Sequence, residues 1–286
     1  MKKNKLVLKI SICILIIIII ALIGVVIWGI LSGNGFTFFE KPTVIYQETF
    51  EDIENVIVNV TSYDIEIKES EDTHIQVEIS GSQKSKDKFN VEQENDTLSI
   101  NQNGSNICIG FCLGGSITIY LPQEEITYTH LSNSGSLNSD VNLARVDIKT
   151  TSGDINLKNV REGTFSSTSG NIQVANAYKL SASTTSGDIS LDEVEDLVIT
   201  SQSGHVKVGS VTYKMDITTN SGDIDISSLN IKEDSKIEAK SGNVDIKLNQ
   251  ELFIDVSTKS GNIDINNTNA SPSLSIHTTS GDITAK

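Results

Sequence analysis

The sequence predicts an all-β fold: a parallel β-solenoid (β-helix) with coils of 17–20 residues, preceded by one N-terminal transmembrane helix. Three observations predict it. A Ser-Gly pair, as in the thrice-repeated phrase TTSGDI, marks Gly135, Gly153, Gly170, Gly187, Gly204, Gly222, Gly242, Gly261 and Gly281, at spacings of 17 to 20 residues. Aliphatic and polar residues alternate on both sides of each pair. An unbroken apolar run fills residues 10–31 behind a basic N-terminus.

In chain order, residues 1–9 form a basic tail carrying Lys2, Lys3, Lys5 and Lys9. The 22 residues from Ile10 to Leu31 span about 33 Å as a helix, which matches a bilayer core. A cleaved secretory signal is the competing reading. Its apolar region is usually about 7 to 15 residues and ends at a small-residue cleavage site, so the length favours an uncleaved signal anchor. The flanking lysines orient this single pass with its N-terminus in the cytoplasm and the C-terminal domain extracellular. Residues 32–43 then form a linker.

Residues 44–134 are expected to form an irregular, capping part of the solenoid. VIVNVTSYDIEIKES fits the repeat if Tyr63 stands at the glycine position, with Val56 and Val58 before the corner and Ile65 and Ile67 after it. Further strands are expected at HIQVEIS, NVEQENDTLSI and SITIYLP. Cys108 and Cys112, in NICIGFCLGG, suit either a disulfide across a tight glycine loop or two free thiols. With no His nearby in sequence, a zinc site there is poorly supported.

Residues 135–286 are the regular repeats. Two and four positions after each Gly come pairs such as Ile155 and Leu157, or Ile172 and Val174; seven and five before it come Val146 and Ile148, or Leu197 and Ile199. Period two on both sides reads as strand, corner, strand, with aliphatics inward. A repeat this regular implies coils that stack because none can bury its apolar face alone. The same parity places the Ser before each Gly (Ser152, Ser169, Ser186, Ser203, Ser221), and the hydroxyl three before it, on the inward side. Gly is expected to supply positive φ, and the following Asp or Asn to bond its own turn. Coils about 4.8 Å apart give an axis of about 40 Å, right-handed by crossover chirality. The chain ends at TTSGDITAK without a recognisable cap, which predicts an open edge and self-association through the C-terminal coil.

Composition narrows function. All 37 acidic residues and 18 of the 22 basic ones follow the apolar run, so the remainder carries a formal charge of −19. Nucleic acid and anionic lipid require a basic footprint and are disfavoured as partners; cations or cationic partners fit better. Three residues after the Gly in the late coils, Asp225, Asp245 and Asp264 are expected to stack outward as a ladder suited to a divalent cation such as Ca2+. A wall-polysaccharide enzyme would need long cleft-building loops and aromatic platforms. Aromatics make up 5% of the chain, and Arg145 and Arg161 lie several coils from the acidic row. His74, His130, His205 and His277 are scattered over the register. The sequence therefore assigns no catalytic or cofactor-binding residue, and the chain reads as non-enzymatic.

The serial phrases TTSGDI, TNSGDIDI, AKSGNVDI and TKSGNIDI, with SITIYLP leading into LSNSGSL, resemble the bacterial adhesin-like envelope proteins whose β-strand repeats form a domain of unknown function. The resemblance covers about residues 44–286. One membrane helix before such a domain is similar to the LiaG-like proteins of Gram-positive envelope-stress operons. It implies a membrane-tethered extracellular solenoid that binds, senses or scaffolds, with wall polymers or envelope proteins as partners. A self-assembling surface protein is the alternative. No family site residues carry over.

Overall fold

Alternation becomes strand wherever the computed structural model describes the chain, which is over residues 42–104, 115–122, 126–260, 262–265 and 270–286. The apolar run 10–31 and the pair Cys108 and Cys112 lie outside the described residues. Among the described residues no helix is long and apolar enough to cross a membrane.

The irregular part comprises β1 (Thr43–Phe50), β2 (Asn55–Asn59), β3 (Asp64–Glu69), β4 (Ile75–Gly81), a 3-10 turn at Gln83–Lys88, β5 (Phe89–Glu94), β6 (Thr97–Gln102), β7 (Ser116–Leu121) and β8 (Thr127–Ser132). The expected corner at Tyr63 is present. Val56 and Val58 of β2 and Ile65 and Ile67 of β3 are buried, and a Cβ on Gly135 would lie 1.8 Å from the Tyr63 carbonyl oxygen, so the two corners stack directly. The Tyr63 ring fills the space left by Gly115 and meets Phe89 edge-on at 4.9 Å. Not every predicted strand is a coil. NVEQENDTLSI folds as the antiparallel hairpin β5–β6, turning at Asn95 with φ 54. β4 also runs antiparallel, against β7, and β1 runs antiparallel against β4, so this end of the stack is closed by reversed strands.

The regular coils are β9 (Leu137–Thr150), β10 (Ile155–Ser167), β11 (Ile172–Thr184), β12 (Ile189–Ser203) and β13 (Val206–Ser221). Each pairs in parallel with the next, which puts Ile155, Ile172, Ile189 and Val206 in one buried row. Within a coil the inward positions are Ile155, Leu157, Val160, Gly163, Phe165 and Ser167. The two steps of three break the period of two, and each marks a bend where the strand turns around the core. The row Leu143, Val160, Ala177, Val194 at the first bend extends the aliphatic interior beyond the four positions read from the sequence.

The Ser-Gly corner differs from expectation in three ways. The Ser immediately before each Gly (Ser152, Ser169, Ser186, Ser203, Ser221) is exposed; the Gly itself points inward, and only the hydroxyl three before it is buried as predicted. At three corners that hydroxyl accepts the Gly N–H: Thr150 Oγ1 from Gly153 at 3.0 Å, Ser167 Oγ from Gly170 at 2.8 Å, Thr184 Oγ1 from Gly187 at 2.9 Å; at the Gly222 corner Thr219 Oγ1 instead donates to the Ser221 carbonyl oxygen at 3.3 Å. Second, positive φ is found at Gly204, Gly222, Gly242 and Gly281 but not at Gly153, Gly170 or Gly187. All of them share a steric need instead. A Cβ on Gly170 would lie 2.0 Å from the Gly153 oxygen, and one on Gly187 2.1 Å from that of Gly170. Third, the following Asp or Asn caps the neighbouring coil rather than its own turn. Asp154 Oδ1 accepts the Asn171 N–H, Asn171 Oδ1 that of Asp188, and Asp188 Oδ1 that of His205, at 2.7 to 2.9 Å.

The last coils comprise β14 (Ile224–Leu229), β15 (Ser235–Ser241), β16 (Val244–Leu248), β17 (Phe253–Thr258), β18 (Ile263–Ile265), β19 (Ser273–Ser280) and β20 (Ile283–Ala285). They do not stack in sequence order. β19 lies between β15 and β17, and β20 between β16 and β18. The chain skips one level to build the coil of β17 and β18, then returns to fill the gap. The carboxamide and carboxylate chain follows the same path, from Asp223 to Asn243 to Asp282 to Asn262. In this order both Val244 and Ile263 find an aliphatic neighbour in Ile283, which is 1% exposed. The C-terminal coil is therefore interior, and the open edge predicted there belongs to β17 and β18. The opposite end has the same design, since β2, from the first coil in sequence, lies between β6 and β8.

A candidate binding groove along the first bend

The bend that follows each post-glycine strand repeats a short pattern: Asn142-Leu143-Ala144, Asn159-Val160-Arg161, Asn176-Ala177-Tyr178 and Glu193-Val194-Glu195. The middle residue of each triplet is buried and forms a floor. Its neighbours turn outward and line a groove of about 710 Å³ that crosses four coils and reaches Thr212. Parallel register places like on like, Asn142 beside Asn159 and Asn159 beside Asn176. Asn159 Nδ2 donates to Asn142 Oδ1 at 2.6 Å, and Asn176 Nδ2 to Asn159 Oδ1 at 2.8 Å. An amide has two N–H donors and two acceptor lone pairs, so this ladder leaves each group capacity for a ligand. Tyr178, 57% exposed, stands along the groove as a ring platform. Beyond the bend, charge pairs bridge adjacent coils: Arg145 with Glu162 at 3.5 Å, and Lys179 with Asp196 at 4.0 Å. The recurrence of Asn six or seven residues after Gly135, Gly153 and Gly170 is a sequence signal for this row that the alternation on either side of the corner obscures.

The sequence-predicted acidic row divides. Asp225 and Asp245 are register neighbours on β14 and β16, but Thr284 of the returning strand separates Asp245 from Asp264. Asp225 lies 2.9 Å from His205 Nε2, and Asp264 pairs with Lys286. Among the described residues no group of three or more His, Cys, Asp or Glu is placed to hold a metal ion.

His130 stands apart from the other histidines. It occupies an inward position between Val58 and Ile148, is 1% exposed, and lies parallel to the Tyr128 ring at 6.3 Å. Burial pushes its pKa down to about 4 and pushes that of the Tyr128 hydroxyl upward.

The Toastrack DUF4097 family model matches residues 53–286. No curated protein matches the chain. Among solved structures, a "putative lipid binding protein" from Parabacteroides distasonis is similar at 20% identity, with a TM-score of 0.50 over 82% of this chain and 96% of its own. A "putative adhesin" from the same species matches at 16% identity and TM-score 0.47, covering 85% and 97%. Another from Bacteroides fragilis matches at 16% and 0.45, covering 87% and 98%. The first supports the solenoid architecture and nothing finer. The matched span contains both the Ser-Gly corners and the irregular cap from Ile53 onward, and the chain belongs to the Toastrack DUF4097 family.

Proposed function

We propose that this protein is a non-enzymatic binding module of the cell envelope, tethered by residues 10–31 and using the groove along the first bend to hold a linear, uncharged wall glycan. The observation that carries this reading is the amide row Asn142, Asn159 and Asn176 beside the exposed Tyr178. Polar groups repeated about every 4.8 Å along a rigid surface suit a polymer that is itself repetitive. An exposed aromatic ring suits the apolar face of a sugar. The acidic surface favours uncharged or cationic stretches over anionic polymers. Glu193 and Glu195 are the groove's carboxylates, and both sit on the same exposed bend. A hydrolase needs two carboxyl groups held apart in contrasting environments across the bond, so binding is the better account.

The test is co-sedimentation of the full chain, in detergent micelles, with purified insoluble wall glycan. Tyr178→Ala is expected to lower the affinity about tenfold, as for a central aromatic anchor. Equal sedimentation of wild type and Tyr178→Ala, or none by either, would overturn the proposal. Protease added to intact cells is expected to degrade the domain, and full protection would contradict its extracellular placement.

A further inference from the structure

The two ends of the stack differ. At the irregular end, Ile117 and Ile119 of β7 are fully buried because β4 lies across them antiparallel. The outermost strands there carry a register shift between Val44 and Tyr46 in β1, and Glu92 and Glu94 in β5, devices that discourage edge pairing. At the other end, Ile263 occupies the same inward row as Ile283, Val244 and Ile224, each at most 1% exposed, yet is itself 46% exposed. Phe253, on the same coil, is 44% exposed. Among the described residues no strand pairs with the outer edges of β17 and β18.

The geometry points to a second copy of this chain as the occupant of that end, joined tail to tail through antiparallel pairing of β17 with β17. The strand is self-complementary in charge. Asp255 and Ser257 of β17 and Lys259, just past the end of the strand at Thr258, are all exposed, and continuing the alternation by one residue puts the three on one side. Antiparallel pairing about a two-fold axis at Ser257 sets Asp255 opposite Lys259 of the partner copy, and the symmetry forms this pair twice. Such an isologous contact closes as a dimer and does not propagate into a fibre. The reversed strands at the irregular end fit this outcome, since they offer the exposed coil no matching parallel edge. This inference is independent of the groove.

Charge reversal tests it on the full chain in detergent micelles, with mass measured by sedimentation equilibrium. Wild type is expected to dimerise. Asp255→Lys alone or Lys259→Asp alone is expected to raise the dissociation constant about tenfold or more, and the double reversal to restore it. Both sites are exposed, so circular dichroism should be unchanged in every variant. A wild type that stays monomeric at the highest attainable concentration would overturn the inference. So would a dimer indifferent to both single reversals, which would place association elsewhere, as in the apolar run 10–31.

Discussion

Acid should weaken this fold through one residue. His130 sits in the aliphatic interior and titrates at about 4 when folded, against 6.5 for an unperturbed histidine. The folded state therefore holds the ring neutral at pH values where the unfolded chain protonates it. A lowered His pKa leaves stability intact above pH 6.5 and removes it as pH falls from 6.5 towards 4. One pKa unit corresponds to about 1.4 kcal/mol, so the loss sums to about 3 kcal/mol, most of it gone by pH 4.5. Carboxylates titrate over part of the same range, so the useful quantity is a difference between proteins. Urea midpoints at pH 7.5 and 4.5, multiplied by the m-value, should show wild type losing about 2 to 3 kcal/mol more than His130→Leu. The variant should also be the more stable at pH 7.5, because a leucine fits between Val58 and Ile148 without burying ring nitrogens. Equal acid losses in the two proteins would refute the reasoning and mean that His130 is solvated.

Other perturbations probe the corners and the order of the coils. Gly170→Ala forces a methyl group to 2.0 Å from the Gly153 oxygen and should cost about 3 kcal/mol or prevent folding; Gly104→Ala, with open space around it but φ +83, should cost about 1 kcal/mol. Similar penalties measured for the two would contradict steric selection of the repeat glycines by coil stacking. Ile283→Asn places an amide between Val244 and Ile263 and should cost about 3 kcal/mol, against about 1 kcal/mol or less for the half-exposed Ile263→Asn. The reverse ranking by chemical denaturation would restore sequential stacking.

Much of this architecture could be read from the repeat. The rows through Ile155, Ile172 and Ile189, and the Tyr63 corner, follow from period-two alternation, because parity fixes which side chains face inward once the strands are given. Alternation cannot report where a strand bends. Val160 lies three residues beyond Leu157 and Gly163 three beyond Val160, breaks that make the groove and that alternation hides; a further step of three at the corner, from Ser167 to Gly170, turns Ser169 outward. The order of the last coils was also beyond a one-dimensional count. TKSGNIDI and TTSGDITAK are equivalent repeats, and nothing in either states which of them is the outer level. The choice is made in three dimensions, by the Asp282 carboxylate accepting the Asn262 N–H and by Ile283 filling the space between two apolar levels. Asp225, Asp245 and Asp264 form one row only if the coils stack in sequence order, which the return of β20 prevents.

The groove is the central functional claim, and a contact made in the living envelope tests it most directly. With a photo-crosslinking amino acid in place of Tyr178, irradiation of intact cells should join the full chain to wall glycan, and the same amino acid at the exposed Leu131 of β8, outside the groove, should not. Glycan captured equally from both positions, or from neither, would contradict the account.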